Sequence, residues 1–201
     1  MNNMDFKWLK VETIYRELRP SRHGSEQRWI LNRETISNQQ SGEKVTRGTI
    51  RHPGICVIIP CLDDGRIVLM RQYRYAAGES IWELPAGTLS GREENGRMVA
   101  TESPASCAER ELREETGYQA GDLRSLGSCY AMPGSSDELI HLFVATKLVA
   151  GDQSLDIGEV IDELRGFTSS EILQMLSVGE IRDAKTIVGL AIFLGISAGN
   201  S

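Results

Sequence analysis

The segment from Ser103 to Gly117 carries both the start and the stop signals of one helix. Ser103 is a typical N-cap residue, and Pro104 suits the first helical position because an N–H there would have no intrahelical partner. Gly117 is a typical residue at the end of a helix. The sequence therefore predicts a helix that begins at Pro104 and stops at Gly117.

Three acidic residues occupy one face of this predicted helix. Glu111, Glu114 and Glu115 stand at positions i, i+3 and i+4, so their carboxylates lie close together and repel one another. A hard divalent cation would remove that repulsion, and carboxylate oxygens suit Mg²⁺ or Mn²⁺. Arg110, four residues before Glu114, can hold that carboxylate in place. The alternative is a solvated acidic face on which Arg110 and Arg113 are ordinary salt-bridge partners.

Short apolar segments separated by turn residues predict strands before and after this helix. Ile55–Ile59 is apolar throughout, as expected of a strand that is buried on both faces. Four further strands are predicted at Ile67–Tyr75, Ile81–Leu84, Leu123–Ala131 and Leu139–Leu148. Two C-terminal helices are predicted at Ser170–Val178 and from Asp183 to about Ile196, and the polar stretches 88–101 and 150–160 are predicted to be loops.

The first fifty residues form a separate β-rich segment. Trp8–Tyr15 and Arg28–Ile36 alternate as strands do, and turn residues stand at Pro20–Gly24 and Ser41–Glu43. Three short strands bury little by themselves. We therefore expect this segment to pack on the main domain or on a partner subunit.

Length and composition narrow the class of protein. A chain of 201 residues suits one ordinary domain with a small appendage, which we divide at 1–50 and 51–201. The net charge of −6 argues against a general nucleic-acid binder. Met1–Lys10 predicts no signal peptide, and the longest apolar stretch, Ile187–Ile196, is too short to span a bilayer. The four cysteines lack the paired spacing of a zinc site. Since no secretory signal is predicted, we expect them to be reduced thiols in a cytoplasmic protein.

The acidic helix resembles the Nudix hydrolase box, which runs glycine, five residues, glutamate, seven residues, and then Arg-Glu-apolar-x-Glu-Glu-x-Gly-apolar. Residues 110–118, Arg-Glu-Leu-Arg-Glu-Glu-Thr-Gly-Tyr, match its second half, with Tyr118 in place of the usual aliphatic residue. The match is specific because many positions must agree at fixed spacing, and the resemblance covers roughly residues 5–197. It implies an α/β (α+β) fold, the Nudix α/β/α sandwich with a mixed sheet, plus a small N-terminal antiparallel β piece.

The first half of the box can be matched in two ways. By strict counting, Gly96 and Glu102 complete the pattern. Yet Glu83–Gly87, Glu-Leu-Pro-Ala-Gly, resembles the strand end that supplies the box glycine, although it stands nine residues further upstream than the pattern requires. We favour Gly87, followed by a nine-residue insertion within 88–101, with Glu102 as the box glutamate.

The resemblance implies roles for the carboxylates in metal binding and catalysis. Glu111, Glu114 and Glu115, with the backbone carbonyl of Ala86, would bind Mg²⁺, or Mn²⁺ in its place. Glu114, Glu115 and Arg110 would form the catalytic centre on this helix.

The resemblance places a general base in the loop Gly151–Asp162. Of its acidic residues we select Glu159 over Asp152, Asp156 and Asp162. The alternative is that Glu159 only solvates the loop. The three histidines have no triad partners in the sequence, so we assign them no catalytic role.

Two arginines and a proline resemble features of the ADP-ribose and ADP-sugar pyrophosphatase branch of this family. Arg71 and Arg74 stand in Arg-Gln-Tyr-Arg and would bind substrate phosphates, which match the planar fork of arginine. Pro133 lies 15 residues after Tyr118, the offset associated with ADP-ribose hydrolases. Without the box, these residues would be two surface arginines on an amphipathic strand and an ordinary turn.

The adenine site is also implied by the resemblance. Trp8 and Trp29 stand where members of the branch carry tryptophans that sandwich the adenine, one of them from the other subunit of a homodimer. A flat apolar ring stacks well on a purine. Glu83 would accept a hydrogen bond from the adenine amino group. The alternative is that both tryptophans are core or dimer-interface residues.

The resemblance implies Mg²⁺-dependent hydrolysis of ADP-ribose, or a related ADP-sugar, to AMP and ribose 5-phosphate. The alternatives are hydrolysis of another nucleoside-diphosphate sugar, such as GDP-mannose, or of NADH, and a non-catalytic Nudix-fold ADP-ribose sensor. The chain keeps the box carboxylates and has no basic helix-turn-helix segment, which argues against a sensor. We expect a small-molecule substrate, with neither a nucleic acid nor a membrane as partner.

Overall fold

The computed structural model describes residues 6–21, 24–155 and 160–195, which divide into two compact units. The first unit comprises Met1–Gly54, Ser90–Thr101 and Tyr130–Leu139, and the second comprises the remaining segments. The strands are β1 (Phe6–Ser21), β2 (Gly24–Asn38), β3 (Lys44–Arg51), β4 (Ile55–Pro60), β5 (Ile67–Arg74), β6 (Glu79–Glu83), β7 (Ala86–Thr88), β8 (Gly91–Glu94), β9 (Arg97–Ala100), β10 (Tyr118–Tyr130), β11 (Leu139–Ala150) and β12 (Ile161–Phe167). The helices are α1 (Pro104–Thr116), α2 (Ser169–Ser177) and α3 (Ala184–Leu194).

The first unit is built on an antiparallel sheet in the order β1-β2-β3, as the alternating N-terminal segment predicts. The strands are longer than predicted, and β1 contains register shifts, one of them between Trp8 and Lys10. The turn before β3 is confirmed, with Gly42 at a positive φ of 73°. Residues 22–23 of the turn expected at Pro20–Gly24 lie outside the described residues.

The prediction of a loop over 88–101 is wrong. Strands β8 and β9 pair as an antiparallel hairpin within this segment. Its turn is Asn95-Gly96, both with positive φ, which is the strongest short hairpin signal in a sequence. The hairpin packs on the N-terminal strands of the same unit, where Glu93 forms an ion pair with Arg16.

The second unit contains a mixed four-stranded sheet in the order β10-β11-β4-β7, in which β4 runs parallel to β11 and antiparallel to β7. Alternate residues of β4 face two different hydrophobic cores, as expected of a strand that is buried on both faces. Cys56 and Ile58 pack with α1, whereas Val57 and Ile59 pack with α2, α3 and the sheet β12-β5-β6. The predicted α/β/α sandwich with a mixed sheet is therefore confirmed.

The helix boundaries follow the predicted signals. The side chain of Ser103 accepts a hydrogen bond from the N–H of Ser106, and Gly117 ends α1 with a φ of 77°. Asp183 caps α3 in the same way. Strand β12 was not predicted, because Ile161–Phe167 holds only three large apolar residues among charged ones and follows an acidic loop. No helix within the described ranges is both long and apolar enough to cross a membrane.

His52 at the end of the first unit's sheet generates a pH prediction. The backbone N–H of His52 donates to the carboxylate of Asp137. The ring Nδ1 accepts from the backbone N–H of Gly54 at 3.1 Å, which only an unprotonated nitrogen can do. Burial lowers the pKa of His52 to about 4, helped by Arg28 and opposed by Asp137. Below the ordinary pKa the unfolded chain therefore binds a proton that the folded chain does not.

The free energy of unfolding should consequently fall as the pH drops from about 6.5 towards 4, by on the order of 2 kcal/mol from this residue. We expect His52→Asn, whose side-chain oxygen can still accept from Gly54, to lose that part of the pH dependence. Urea unfolding of both proteins at pH 7.5 and 4.5 measures the difference. An unchanged pH dependence in the variant would contradict this assignment.

Candidate active site

The carboxylate face of α1 packs against the N-terminal end of β7. Glu115 is 1% exposed, and its carboxylate accepts a hydrogen bond from the N–H of Ala86 at 2.8 Å. Glu111 is also buried and lies directly against Gly87, where an added Cβ would come within 1.8 Å of the Glu111 carboxyl carbon. The strand end and the acidic helix therefore meet through a glycine that no larger residue could replace without moving Glu111.

The two candidate box glycines lie in different parts of the structure. Gly87 touches the Glu111 carboxylate in the second unit. Gly96 lies in the β8–β9 turn of the first unit, where its carbonyl accepts from Asn32 at 2.7 Å. The structure therefore fits Gly87 as the box glycine, with the hairpin as the insertion that follows it.

Arg110 holds three carboxylates of the site at once. Its guanidinium forms ion pairs with Glu102 at 2.9 Å, with Glu111 at 2.6 Å and with Glu114 at 3.1 Å. Burial by itself lowers the pKa of Arg110, but Glu102 and Glu111 outweigh it and hold the pKa above its ordinary value. Together with Glu115 of the same helix, these four carboxylates and one guanidinium carry a formal excess of three negative charges.

The donor chemistry fits a hard divalent cation. The side chains are carboxylates on one helix face, and the excess negative charge is large for a buried location. Within the described ranges, no three acidic, histidine or cysteine side chains already converge as a metal cluster. The reason is visible in the contacts: Arg110 holds Glu111 and Glu114, while Glu115 is bonded to the backbone of Ala86.

Two buried cysteines fix α1 close to the sheet. Cys56 of β4 and Cys107 of α1 are fully buried with their Sγ atoms 3.0 Å apart, and both contact the carbonyl of Gly87. The contact with Cys56 and burial raise the pKa of Cys107, so it stays a thiol. All four cysteines of the chain are free, as expected of reduced thiols.

The predicted phosphate-binding arginines lie on β5 of the second unit. Arg71 is exposed, whereas Arg74 donates Nε and Nη2 to the two oxygens of Glu83 at 2.7 and 2.6 Å. Glu83 is fully buried and also bonds to Lys185 of α3. Burial by itself raises the pKa of Glu83, but the two cations hold the pKa below its ordinary value. Sequence reasoning missed Lys185, for which no motif gave a signal.

The other predicted substrate residues belong to the first unit. Trp8 is 46% exposed and donates its indole N–H to Glu34, and the ring of Trp29 lies 5.4 Å from that of Tyr15. Pro133 lines a cavity of about 210 Å³ together with Arg51, a residue that sequence reasoning did not select. The adenine roles of Trp8, Trp29 and Glu83, and the substrate role of Pro133, stay predictions.

The loop expected to carry the general base is described only in part. Its first residues close the C-terminal end of α1, since Ser154 donates its N–H to the carbonyl of Glu114 at 3.0 Å and Gln153 bonds to that of Glu115. The side chain of Asp162 accepts from Ser80. Glu159 lies outside the described residues, as does Asp156.

Comparison with known proteins identifies the family. A family model described as the Nudix domain matches residues 50–187, which is more than half of the chain. An ADP-ribose pyrophosphatase of Mycobacterium tuberculosis is 30% identical over 200 residues, covering 99% of this chain and 88% of that protein. The chain therefore belongs to the Nudix domain family.

Two further matches show how the relatives vary. A GDP-mannose pyrophosphatase of Escherichia coli is 34% identical over 144 residues, covering 69% of this chain and 71% of that protein. A solved structure described as an ADP compounds hydrolase superposes with a TM-score of 0.73 at 20% identity, covering 95% of this chain and 93% of that one. The solved structure shows that the fold is shared.

Because Gly87 touches Glu111, a substitution at position 87 should change catalytic activity without changing the stability of the fold. In Gly87→Ala the new methyl group must displace the flexible end of the Glu111 side chain. We expect kcat/KM for the preferred substrate to fall by about 10²-fold, because a displacement of this size disrupts a catalytic arrangement. The melting temperature should change little, since the backbone of Gly87 needs no positive φ.

Steady-state kinetics and thermal melting of Gly87→Ala test this expectation. Gly48→Ala is the matched control, because its Cβ would meet only Leu31 at 3.9 Å, an ordinary contact. Full activity in Gly87→Ala would show that the position of Glu111 does not matter for turnover.

Proposed function

We propose that this protein hydrolyses the diphosphate of ADP-ribose, or of a related ADP-sugar, to AMP and ribose 5-phosphate. The observation that carries the proposal is the face of α1, where Glu111 and Glu115 are buried against the end of β7 and one arginine serves three carboxylates. The ADP-ribose pyrophosphatase relative supports the choice of substrate.

The residues that would hold Mg²⁺, or Mn²⁺ in its place, are Glu111, Glu114 and Glu115 with the carbonyl of Ala86. A bound divalent ion supplies charge neutralisation for a diphosphate and lowers the pKa of a bound water. Arg110 donates to Glu111 and to Glu114 and fixes these two side chains. Its ion pairs offset their mutual repulsion.

The substrate would be oriented by the two arginines of β5. Arg74 keeps Nη1 clear of Glu83, so a phosphate oxygen can accept a hydrogen bond from it. Arg71, exposed on the same strand, would add a second cation. We retain Glu159 as the general base on the strength of the family resemblance alone.

Two alternatives remain for the activity. The GDP-mannose pyrophosphatase relative supports another nucleoside-diphosphate sugar as the substrate. NADH, which also contains a diphosphate, is a further candidate. A non-catalytic ADP-ribose sensor is disfavoured by the retained carboxylates Glu111, Glu114 and Glu115. Comparison of kcat/KM for ADP-ribose, GDP-mannose and NADH, each with Mg²⁺ and with Mn²⁺, separates the substrates. Tight ADP-ribose binding without turnover would favour the sensor.

The role of the carboxylates is tested by single Glu→Gln variants at 111, 114 and 115. Each keeps the side-chain shape and removes one negative charge, so we expect kcat/KM for ADP-ribose to fall by at least about 10²-fold. Glu109→Gln on the exposed side of α1 is the matched control and should keep full activity. If Glu114→Gln and Glu115→Gln both hydrolyse ADP-ribose at the normal rate, the role assigned to this helix face is wrong.

We also propose a homodimer that forms through the N-terminal region, residues 1–50. Strand β1 leaves several large apolar side chains exposed in the single chain: Trp8, Leu9, Val11, Ile14, Tyr15 and Leu18. Such a row is unusual on a monomer surface and typical of an interface. A cytoplasmic location is proposed as well, supported by the four free cysteines.

Light scattering at micromolar concentration should give twice the chain mass of 22.3 kDa. Leu9→Lys combined with Ile14→Lys should convert the protein to monomers, because charges on an apolar interface are costly to bury. Val149→Lys, a change at an exposed apolar residue of the second unit, should leave the dimer intact. A monomeric wild-type protein would contradict both the dimer and a shared adenine site.

A further inference from the structure

We propose that Lys185 is a positioning residue for Arg74, acting through the buried carboxylate of Glu83. The proposal rests on the proposed function, in which Arg74 binds a phosphate of the substrate. Lys185 belongs to no motif recognised in the sequence, and it reaches Glu83 from the first turn of α3, 102 positions further along the chain.

The geometry around Glu83 divides one carboxylate between two cations. Arg74 donates Nε to Oε1 and Nη2 to Oε2, while Lys185 donates Nζ to Oε2. The Arg74 side chain is 40% exposed, whereas that of Lys185 is 15% exposed. Arg74 therefore forms the outer edge of the cluster and Lys185 its inner edge. Within the described part of the chain, Nη1 of Arg74 makes no hydrogen bond.

Lys185 is held by the start of its own helix. Its Nζ lies 2.9 Å from the carboxylate of Asp183, the N-cap residue of α3. That carboxylate also accepts from the N–H and the hydroxyl of Thr186, and the same hydroxyl accepts from the N–H of Leu84 at 2.9 Å. The lysine is thus fixed to the backbone of the residue that follows Glu83.

The charges explain what a second cation does at this place. If Arg74 were its only partner, the buried Glu83 carboxylate would form a neutral pair with the guanidinium. The full negative charge of Glu83 would then draw the guanidinium inward. Lys185 takes part of that charge, so the three groups carry a net positive charge and the guanidinium stays available to an anion. Asp183 pairs with Lys185, so the four groups together are formally neutral, and loss of Lys185 would leave one excess negative charge beside Arg74.

The test compares substrate affinity with turnover. We expect Lys185→Met, which keeps the apolar stem of the side chain, to raise KM for ADP-ribose by about tenfold while kcat changes less than twofold. Lys185→Arg keeps the charge and should restore most of the affinity. Arg182→Met removes the exposed ion pair with Glu79 just before α3 and is the matched control, with unchanged KM. Thermal melting of each variant reports whether the fold is intact.

A double variant separates positioning from direct contact. In an Arg74→Gln background, Lys185→Met should raise KM no further, because the residue it positions is absent. An equal rise in both backgrounds, an unchanged KM in Lys185→Met, or a loss confined to kcat would each overturn the proposal. If Arg74→Gln itself keeps the normal KM, or the wild-type protein fails to hydrolyse ADP-ribose, the proposed function falls and this proposal with it.

Discussion

The close approach of Glu111 to Gly87 is the contact on which the rest of the site depends. It is possible only because position 87 has no side chain, and it brings the acidic face of α1 against the end of β7. The neighbouring bond from the N–H of Ala86 to Glu115 fixes the same helix one turn further on. Two acidic residues are thereby buried next to a strand end, a costly arrangement that needs compensating positive charge.

Positive charge at the two acidic centres of the second unit is supplied in different ways. Arg110 serves three carboxylates, so that site carries excess negative charge, which suits a cation. Around Glu83 the charges balance instead, since Arg74 and Lys185 share that carboxylate and Lys185 also pairs with Asp183. In the proposed function the first centre would hold a metal ion and the second would meet the anionic substrate through Arg74.

The fold and the acidic centre could be predicted where the signals are local. The caps of α1 and the apolar run of β4 gave correct elements because a cap and a buried strand are written in consecutive residues. The β8–β9 hairpin was missed although Asn95-Gly96 marks its turn, since its strands are short and polar. Strand β12 was missed because an edge strand needs few apolar residues and is defined by its pairing with β5.

The family, the acidic face of α1 and the arginines of β5 could be predicted from the sequence, because each is recognised from a fixed spacing within a short segment. The choice between Gly87 and Gly96 depended on the folded chain, because both were candidates for the box glycine and only Gly87 lies against the Glu111 carboxylate. The ion pair between Lys185 and Glu83 was likewise found only in the folded structure. An ion pair between residues so far apart depends on how α3 packs on the sheet, which no local pattern encodes.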